Sequence, residues 1–225
     1  MQRASQLFND EQRQQVDQAV ATAEANTSTE IVPVVATASG RYDRAEDIIG
    51  LWFAIATAVV LWVWLPRPAD ELGSWSGISM VWQIVALIAG TVVAFVLGAV
   101  IGSKVGWLRR LFTARREMRD DVNRRARESF FDNRIHHTAD ATGLLLYVSL
   151  FERMAAVIAD QEVLEKLGQP ALDELCAELT DRLRAGHPTD AMCAVLIIAG
   201  ERLGAVLPRA ADDVNELADA LVTLD

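Results

Sequence analysis

Two acidic residues in the second half of the chain are the best candidates for chemistry. Asp160 and Glu162 directly follow an apolar segment, Met154–Ala159, that is typical of a β-strand. Two carboxylates this close together could hold a divalent cation or act as the acid and base of a hydrolysis. The same residues fit a structural role, in which Asp160 caps a short helix and Glu162 interacts with the helix dipole. We expect the structural role and keep the pair as the candidate catalytic and metal-binding residues.

The other polar groups that could do chemistry have equally ordinary explanations. Adjacent aspartates can cap a helix, adjacent histidines at a helix end can be solvated rather than bind metal, and arginines on a helix face can meet solvent rather than phosphate. These groups are Asp212-Asp213, His136-His137, His187, and Arg124, Arg125 and Arg127. The sequence has no glycine-rich phosphate loop, no zinc-type spacing and no nucleophile elbow. It therefore specifies no enzyme and implies no cofactor, except a divalent metal if Asp160 and Glu162 bind one.

Two uncharged apolar segments, Ile48–Leu65 and Met80–Gly102, dominate the hydropathy of the chain. A bilayer core of about 30 Å requires roughly 20 apolar helical residues at a rise of about 1.5 Å each, so either segment is long enough to cross it. The connecting segment Pro66–Ser79 contains two prolines and two glycines, which is typical of a turn. We therefore predict a transmembrane helical hairpin at residues 48–102.

Basic residues flank the predicted hairpin on one side. Arg41 and Arg44 precede the first span, whereas the turn between the spans contains a single basic residue, Arg67. The basic residues that follow the second span are expected to contact the membrane surface: Lys104, Arg109, Arg110, Arg115, Arg116 and Arg119. The positive-inside rule then predicts that both chain ends are cytoplasmic, as in a bacterial inner-membrane protein, and that the turn is outside.

The net charge of −10 is unevenly distributed. Residues 104–137 carry 10 basic and 5 acidic side chains, whereas residues 138–225 carry 6 basic and 16 acidic side chains. The basic segment suits the anionic headgroups of a lipid bilayer, and the acidic remainder would be repelled by them. The acidic remainder also argues against a nucleic-acid partner.

Small residues recur every four positions in both spans, which places them on one face of each helix. They are Gly90, Ala94, Gly98, Gly102 and Gly106 in the second span, and Gly50, Ala54 and Ala58 in the first. Such ladders let helix backbones approach closely. Either they pack the hairpin on itself, or the longer ladder forms a homodimer.

Outside the hairpin, helix and strand patterns alternate. Residues 9–26 predict an amphipathic helix with Asn9 and Gln12 as its capping box, and residues 108–136 predict one long charged helix. Strands are predicted at Glu30–Ala38, Thr142–Phe151 and Met154–Ala159. Four helices are predicted after them: Asp160–Gly168, Ala171–Ala185, Ala191–Val206, and a final one from Asp212 or Asp213 through Leu221.

The predicted hairpin interrupts a strand–helix–strand unit, whose two strands are expected to be parallel. We therefore predict one α/β domain with an inserted membrane hairpin. Residues 1–47 supply the first helix and strand, residues 48–102 the hairpin, and residues 103–225 the remainder of the domain.

The soluble residues resemble the TPM domain family, which is named for thylakoid-lumen phosphatase-like, photosystem II repair and nematode receptor accessory proteins. The matching segments are Thr27–Val32, Thr142–Ser149, Glu152-Arg153 with Val157–Ala159, and Ala199–Pro208. The resemblance implies a three-layer α/β/α sandwich attached to a membrane. It also implies roles in the assembly or repair of membrane complexes, with a phosphatase activity ascribed to one plant relative.

Three functions remain open at this point. The leading hypothesis is a non-catalytic interaction, assembly or quality-control module that is anchored in the membrane and binds another membrane protein or complex. The second is a metal-dependent phosphatase that uses Asp160 and Glu162. The third is a homodimeric structural membrane protein held together by its glycine ladder.

Overall fold

The computed structural model describes residues 3–65, 80–138, 141–210, 215–218 and 220–225. The helices and strands follow one another in this order: α1 Ala4–Leu7, α2 Asp10–Glu24, β1 Glu30–Ala36, α3 Asp43–Trp64, α4 Met80–Lys104, α5 Gly106–Leu111, α6 Arg115–Asp132, a 3-10 turn Ile135–His137, β2 Gly143–Ser149, β3 Met154–Ala159, α7 Gln161–Leu167, α8 Gln169–Arg184, α9 Pro188–Val206 and β4 Val222–Leu224.

The chain forms two compact units. The first, which we call the α/β unit, comprises Met1–Gly40 and Arg116–Asp225, and the second, the helical unit, comprises Arg41–Arg115. The helical unit is thus inserted in the sequence of the α/β unit, between β1 and most of α6.

The α/β unit contains a four-stranded mixed sheet with the strand order β3-β2-β1-β4. β1 and β2 are parallel in the register Glu30 to Gly143 through Ala36 to Ser149, which confirms the predicted parallel pairing. β3 returns antiparallel to β2 and forms one edge. Every residue of β1 and β2 is buried, as expected for central strands with near-continuous apolar sequences.

The predicted C-terminal helix is wrong in the part of it that the structure describes. Residues 215–218, 220 and 221 are not helical, and Val222–Leu224 pairs in parallel with the free edge of β1. Asp212 and Asp213 lie outside the described residues. Strand formation prevails because β1 offers unpaired backbone groups: Thr37 donates its N–H to the Leu224 oxygen at 2.8 Å. A pattern read over ten residues cannot reveal a partner so distant in the sequence.

Both faces of the sheet are apolar. One face packs with α2, α8 and α9, through residues such as Val20, Leu179 and Leu196. The other face packs with α6, through Val122 and Phe130. The mixed α/β fold therefore stands, with buried apolar contacts on either side of a central sheet.

The single charged helix predicted over residues 108–136 is divided into three elements. α5 ends at Leu111, where the Thr113 hydroxyl donates to the Arg109 oxygen at 2.9 Å. α6 then runs to Asp132, and Arg134 in the left-handed conformation (φ 56°) begins the 3-10 turn. Leu111, the last residue of α5, is 69% exposed.

The helical unit contains two helices that are long and apolar enough to span a membrane. α3 has 22 residues and α4 has 25. α3 begins at Asp43, five residues before the predicted start of the span, because Asp43 and Glu46 suit the positive end of its dipole. The predicted turn Pro66–Ser79 lies outside the described residues.

Candidate functional site

Asp160 lies beside the amino ends of the parallel strands β1 and β2, whereas parallel α/β sheets usually bind ligands at the carboxyl ends of their strands. Ligands bind beyond the carboxyl ends of parallel strands. β3 is antiparallel to β2, so its carboxyl end lies beside the start of β2, and the Asp160 N–H donates to the Gly143 oxygen at 2.8 Å. The position of Asp160 directly after a strand therefore does not place it at the carboxyl ends of the parallel strands.

The side chains of Asp160 and Glu162 have structural contacts. Asp160 caps α7 by accepting the Gln161 N–H at 2.8 Å, and Glu162 pairs with Lys166 at 3.6 Å on the exposed side of the same helix. The second oxygen of Asp160 is buried and has no hydrogen-bond partner in the described part of the chain. Within that part, no three histidine, cysteine or acidic side chains are grouped closely enough to hold a metal ion.

The carboxyl ends of β1 and β2 carry a buried polar cluster that sequence reasoning missed. It consists of Ser39, Tyr147, Ser149 and Glu152, which we call the carboxyl-edge cluster. Tyr147 and Ser149 are fully buried, and Glu152 is 4% exposed. The parallel pairing of β1 with β2 brings Ser39 to residues more than 100 positions later in the sequence.

The hydroxyl groups of the carboxyl-edge cluster form a series of hydrogen bonds that all donate in the same direction. Ser149 donates to the Glu152 carboxylate, and Ser39 donates to the Ser149 oxygen at 2.9 Å. Because each hydroxyl has one proton to donate, the 2.9 Å contact between Tyr147 and Ser39 is made by the tyrosine proton. The hydrogen bonds therefore lead from Tyr147 through Ser39 and Ser149 to the Glu152 carboxylate.

The Glu152 carboxylate also holds the backbone that follows β1. One of its oxygens accepts the N–H groups of Ser39 at 2.8 Å and Gly40 at 3.3 Å. The turn that contains Glu152 is tied to the same strand, because Leu150 donates to the Ala36 oxygen and Phe151 to the Thr37 oxygen, each at 3.0 Å. These contacts fix the last residues of the α/β unit before the chain enters the helical unit.

Burial keeps Tyr147 protonated. Desolvation, opposed by its hydrogen bond with Ser39, raises the pKa of the phenol to about 12. The phenol is therefore a hydrogen-bond donor at neutral pH.

The chemistry of the carboxyl-edge cluster is that of a structural anchor. Ser39 and Ser149 each donate to another member of the cluster, and the carboxylate of Glu152 accepts a hydroxyl and two backbone N–H groups. Hydrogen bonds of this charge-assisted kind are stronger than neutral ones. The sequence did offer a signal: polar residues follow two apolar strands, and parallel pairing would bring them together.

The small residues of the predicted hairpin lie where α3 and α4 approach each other. A Cβ atom on Gly98 would lie 2.9 Å from the Gly50 Cα, and one on Gly50 would lie 2.8 Å from the Phe95 oxygen. Ala54, Ala94 and Gly102 are also buried. Gly106 is not on this face of α4, since the helix ends at Lys104 and Gly106 opens α5.

The outer surface of α3 and α4 is apolar. Trp62 is 80% exposed, Val63 70% and Val81 68%. Of the basic residues expected at the membrane surface, Arg109 is paired with Glu46 at 3.0 Å, and Arg110 is partly buried. The other four are exposed: Lys104, Arg115, Arg116 and Arg119.

Comparison with known proteins supports the fold alone. No protein-family model matches the chain, and no curated protein matches it. A solved structure, the NMR structure of BA42 protein from the psychrophilic bacterium Bizionia argentinensis, is similar with a TM-score of 0.56 and 14% sequence identity. The similarity covers 96% of this chain and 94% of BA42.

Proposed function

We propose that the chain is a membrane-anchored α/β domain that acts as a non-catalytic interaction, assembly or quality-control module for membrane proteins. The exposed apolar surface of α3 and α4 carries this proposal. Soluble monomers rarely expose contiguous apolar patches larger than a few hundred Å², whereas lipid-facing helices need such a surface. In this arrangement the helical unit is a hairpin across a bacterial inner membrane, and both termini are cytoplasmic.

The finer architecture belongs to the same proposal. We infer a three-layer α/β/α sandwich of the TPM type. Apolar contacts on both faces of the sheet, with α2, α8 and α9 on one and α6 on the other, support this arrangement. The likeness to BA42 supports the α/β fold in general.

The contacts of the polar candidates favour a binding role over a catalytic one. Asp160 caps α7, Glu162 pairs with Lys166, and the carboxyl-edge cluster holds backbone. A hydrolase needs a nucleophile or activated water beside a base that is free to take its proton. The cluster's hydroxyl groups instead end on a carboxylate that already accepts a hydroxyl and two backbone N–H groups.

Capture of partners from native membranes tests the proposal. The tagged full chain would be cross-linked in its own membranes, extracted in mild detergent and purified beside an unrelated hairpin-anchored protein of equal abundance. We expect a membrane protein or complex to be enriched with this chain and absent from the control. Equal recovery in both preparations would contradict the interaction role.

A hydrolysis assay separates this function from a metal-dependent phosphatase. The purified chain would be incubated with p-nitrophenyl phosphate and Mg²⁺, Mn²⁺ or Ca²⁺, beside the double variant Asp160→Ala, Glu162→Ala. We expect no hydrolysis that depends on these two carboxylates. Metal-dependent activity that the double substitution abolishes would replace the proposed function with the phosphatase.

A further inference from the structure

A cavity of about 210 Å³ lies beside the carboxyl-edge cluster in the α/β unit. It opens to solvent and is lined by the ends of β2 and β3 and by the last turns of α8, and its walls are mainly apolar, including Leu150, Met154 and Leu183. An apolar cavity of about 150 Å³ is enough to hold a benzene molecule. This cavity therefore fits one aromatic or branched aliphatic group, and it is too small to enclose the acyl chain of a lipid.

Arg153 supplies an uncommitted positive charge at this cavity. Its side chain lines the cavity and is exposed, and it makes no hydrogen bond or ion pair within the described residues. The second arginine of the lining, Arg184, is engaged with Asp181 at 2.6 Å. A cation that lacks an internal partner, at the rim of an apolar cavity, is suited to an anion supplied from outside.

The backbone of Arg153 has an unfavourable conformation. Its φ of 55° lies in the left-handed region, which a side chain such as arginine seldom occupies. The preceding residue, Glu152, is fixed by the backbone of Ser39 and Gly40, so the turn cannot relax easily. Strain of this kind persists where the surroundings over-determine the backbone.

We propose that this cavity binds the C-terminal residue of another polypeptide. The large apolar side chain of that residue fills the cavity, and its α-carboxylate meets the guanidinium of Arg153. A C-terminal residue carries an apolar group and a carboxylate on the same carbon, which matches an apolar cavity with a cation at its edge. This inference rests on the proposed function, since it specifies the chemistry by which the module recognises a partner.

A synthetic peptide tests the inference without any natural partner. Fluorescein-labelled Gly-Ser-Gly-Ser-Leu with a free carboxylate would be titrated with the full chain in phosphatidylcholine nanodiscs, and binding would be followed by fluorescence anisotropy. The same peptide with a C-terminal amide should bind about tenfold more weakly, because it loses a charge-assisted hydrogen bond. Equal binding of the acid and the amide would overturn the proposal.

The matched variants are Arg153→Asn and Arg134→Asn. Both arginines are exposed and left-handed, with φ values of 55° and 56°, but only Arg153 lines the cavity. Asparagine tolerates this conformation, so neither substitution should unfold the chain. We expect Arg153→Asn to weaken binding of the acid about tenfold and Arg134→Asn to leave it unchanged. Unchanged binding by Arg153→Asn would contradict the inference.

A cavity-filling variant tests independently whether the peptide occupies the cavity. Ala155→Leu adds apolar volume to the wall and keeps both arginines in place. We expect it to abolish peptide binding while the chain retains its circular dichroism. Retained binding would show that the cavity is not used. A negative peptide result combined with capture of membrane proteins would remove this inference and leave the proposed function intact.

Discussion

At the scale of single residues, Glu152 is the group that holds the carboxyl-edge cluster together. A buried carboxylate that accepts a hydroxyl and two backbone N–H groups stabilises the folded state only while all of these bonds are made. We predict that Glu152→Gln lowers the free energy of unfolding by about 1.5–3 kcal/mol, the range for a hydrogen bond to a charged group. Its neutral amide would accept more weakly and would place an N–H group against a donor.

The effect of Glu152→Gln must be measured on the unfolding of the α/β unit. All six tryptophans lie between residues 52 and 107, in the helical unit, so their fluorescence is not informative here. Circular dichroism in urea, with hydrogen exchange of peptides from β1 and β2, is suitable. Glu178→Gln is the matched control, because Glu178 pairs with Arg182 on an exposed part of α8 and should change stability by less than about 1 kcal/mol. Equal effects of both substitutions would refute the anchoring role.

The raised pKa of Tyr147 gives a pH dependence with a definite sign. The phenol has an ordinary pKa of 10.0 when the chain is unfolded and one of about 12 when it is folded. Below pH 10 both states hold the proton, whereas between pH 10 and 12 only the unfolded state releases it. The tyrosine's contribution to stability is therefore complete below pH 10 and is lost as the pH rises to 12.

Comparison with Tyr147→Phe isolates this contribution from other groups that titrate at alkaline pH. Phenylalanine cannot donate to Ser39, so the variant should be less stable by about 1 kcal/mol at pH 8. The difference between the two proteins, measured by urea unfolding, should shrink between pH 10 and 12. A difference that is constant over this interval would show that Tyr147 is not protected by folding.

At the scale of elements, α3 and α4 are held together by close backbone approach. An added side chain at Gly98 would collide with the Phe53 Cβ at 2.8 Å and the Gly50 Cα at 2.9 Å. We predict that Gly98→Ile separates the helices and lowers the melting temperature of the helical unit, observed by tryptophan fluorescence. Val96→Ile, at a position that is 53% exposed on the same helix, should have little effect.

Light scattering on the same two variants decides between packing within the hairpin and a homodimer. If Gly98 serves the hairpin alone, the mass of the particle in detergent stays the same while the melting temperature falls. A dissociated particle with an unchanged melting temperature would instead assign the glycine ladder to a homodimer.

The elements that the sequence predicted are those specified by local signals. Each of these signals lies within a few residues of the helix or strand that it specifies. They are the capping box of Asn9 and Gln12 for α2, the apolar runs of β2 and β3, and Asp160 before α7. β4 was missed because its partner, β1, is nearly 190 residues away. The carboxyl-edge cluster was missed although the parallel pairing was predicted, because only the register of β1 and β2 shows that Ser39 meets Ser149 and Glu152.

At the scale of the whole molecule, the chain inserts an apolar helical unit between two parts of an α/β unit. Such an insertion is compatible with folding of both units only if the helical unit begins and ends on the same side of the membrane, as a hairpin does. The carboxyl-edge cluster then fixes the point where the chain leaves the α/β unit. Under the proposed function, the α/β unit would bind its partners on the cytoplasmic side of the membrane.

Thiol labelling tests this arrangement most directly. In a background with Cys176→Ala and Cys193→Ala, single cysteines would be introduced as Ser74→Cys in the predicted turn and Gln14→Cys on the exposed side of α2. Spheroplasts would be treated with a membrane-impermeant maleimide before and after permeabilisation. We predict that the cysteine at position 74 is labelled in intact spheroplasts and the one at position 14 only after permeabilisation. Labelling of position 14 in intact spheroplasts would contradict the cytoplasmic placement of the α/β unit.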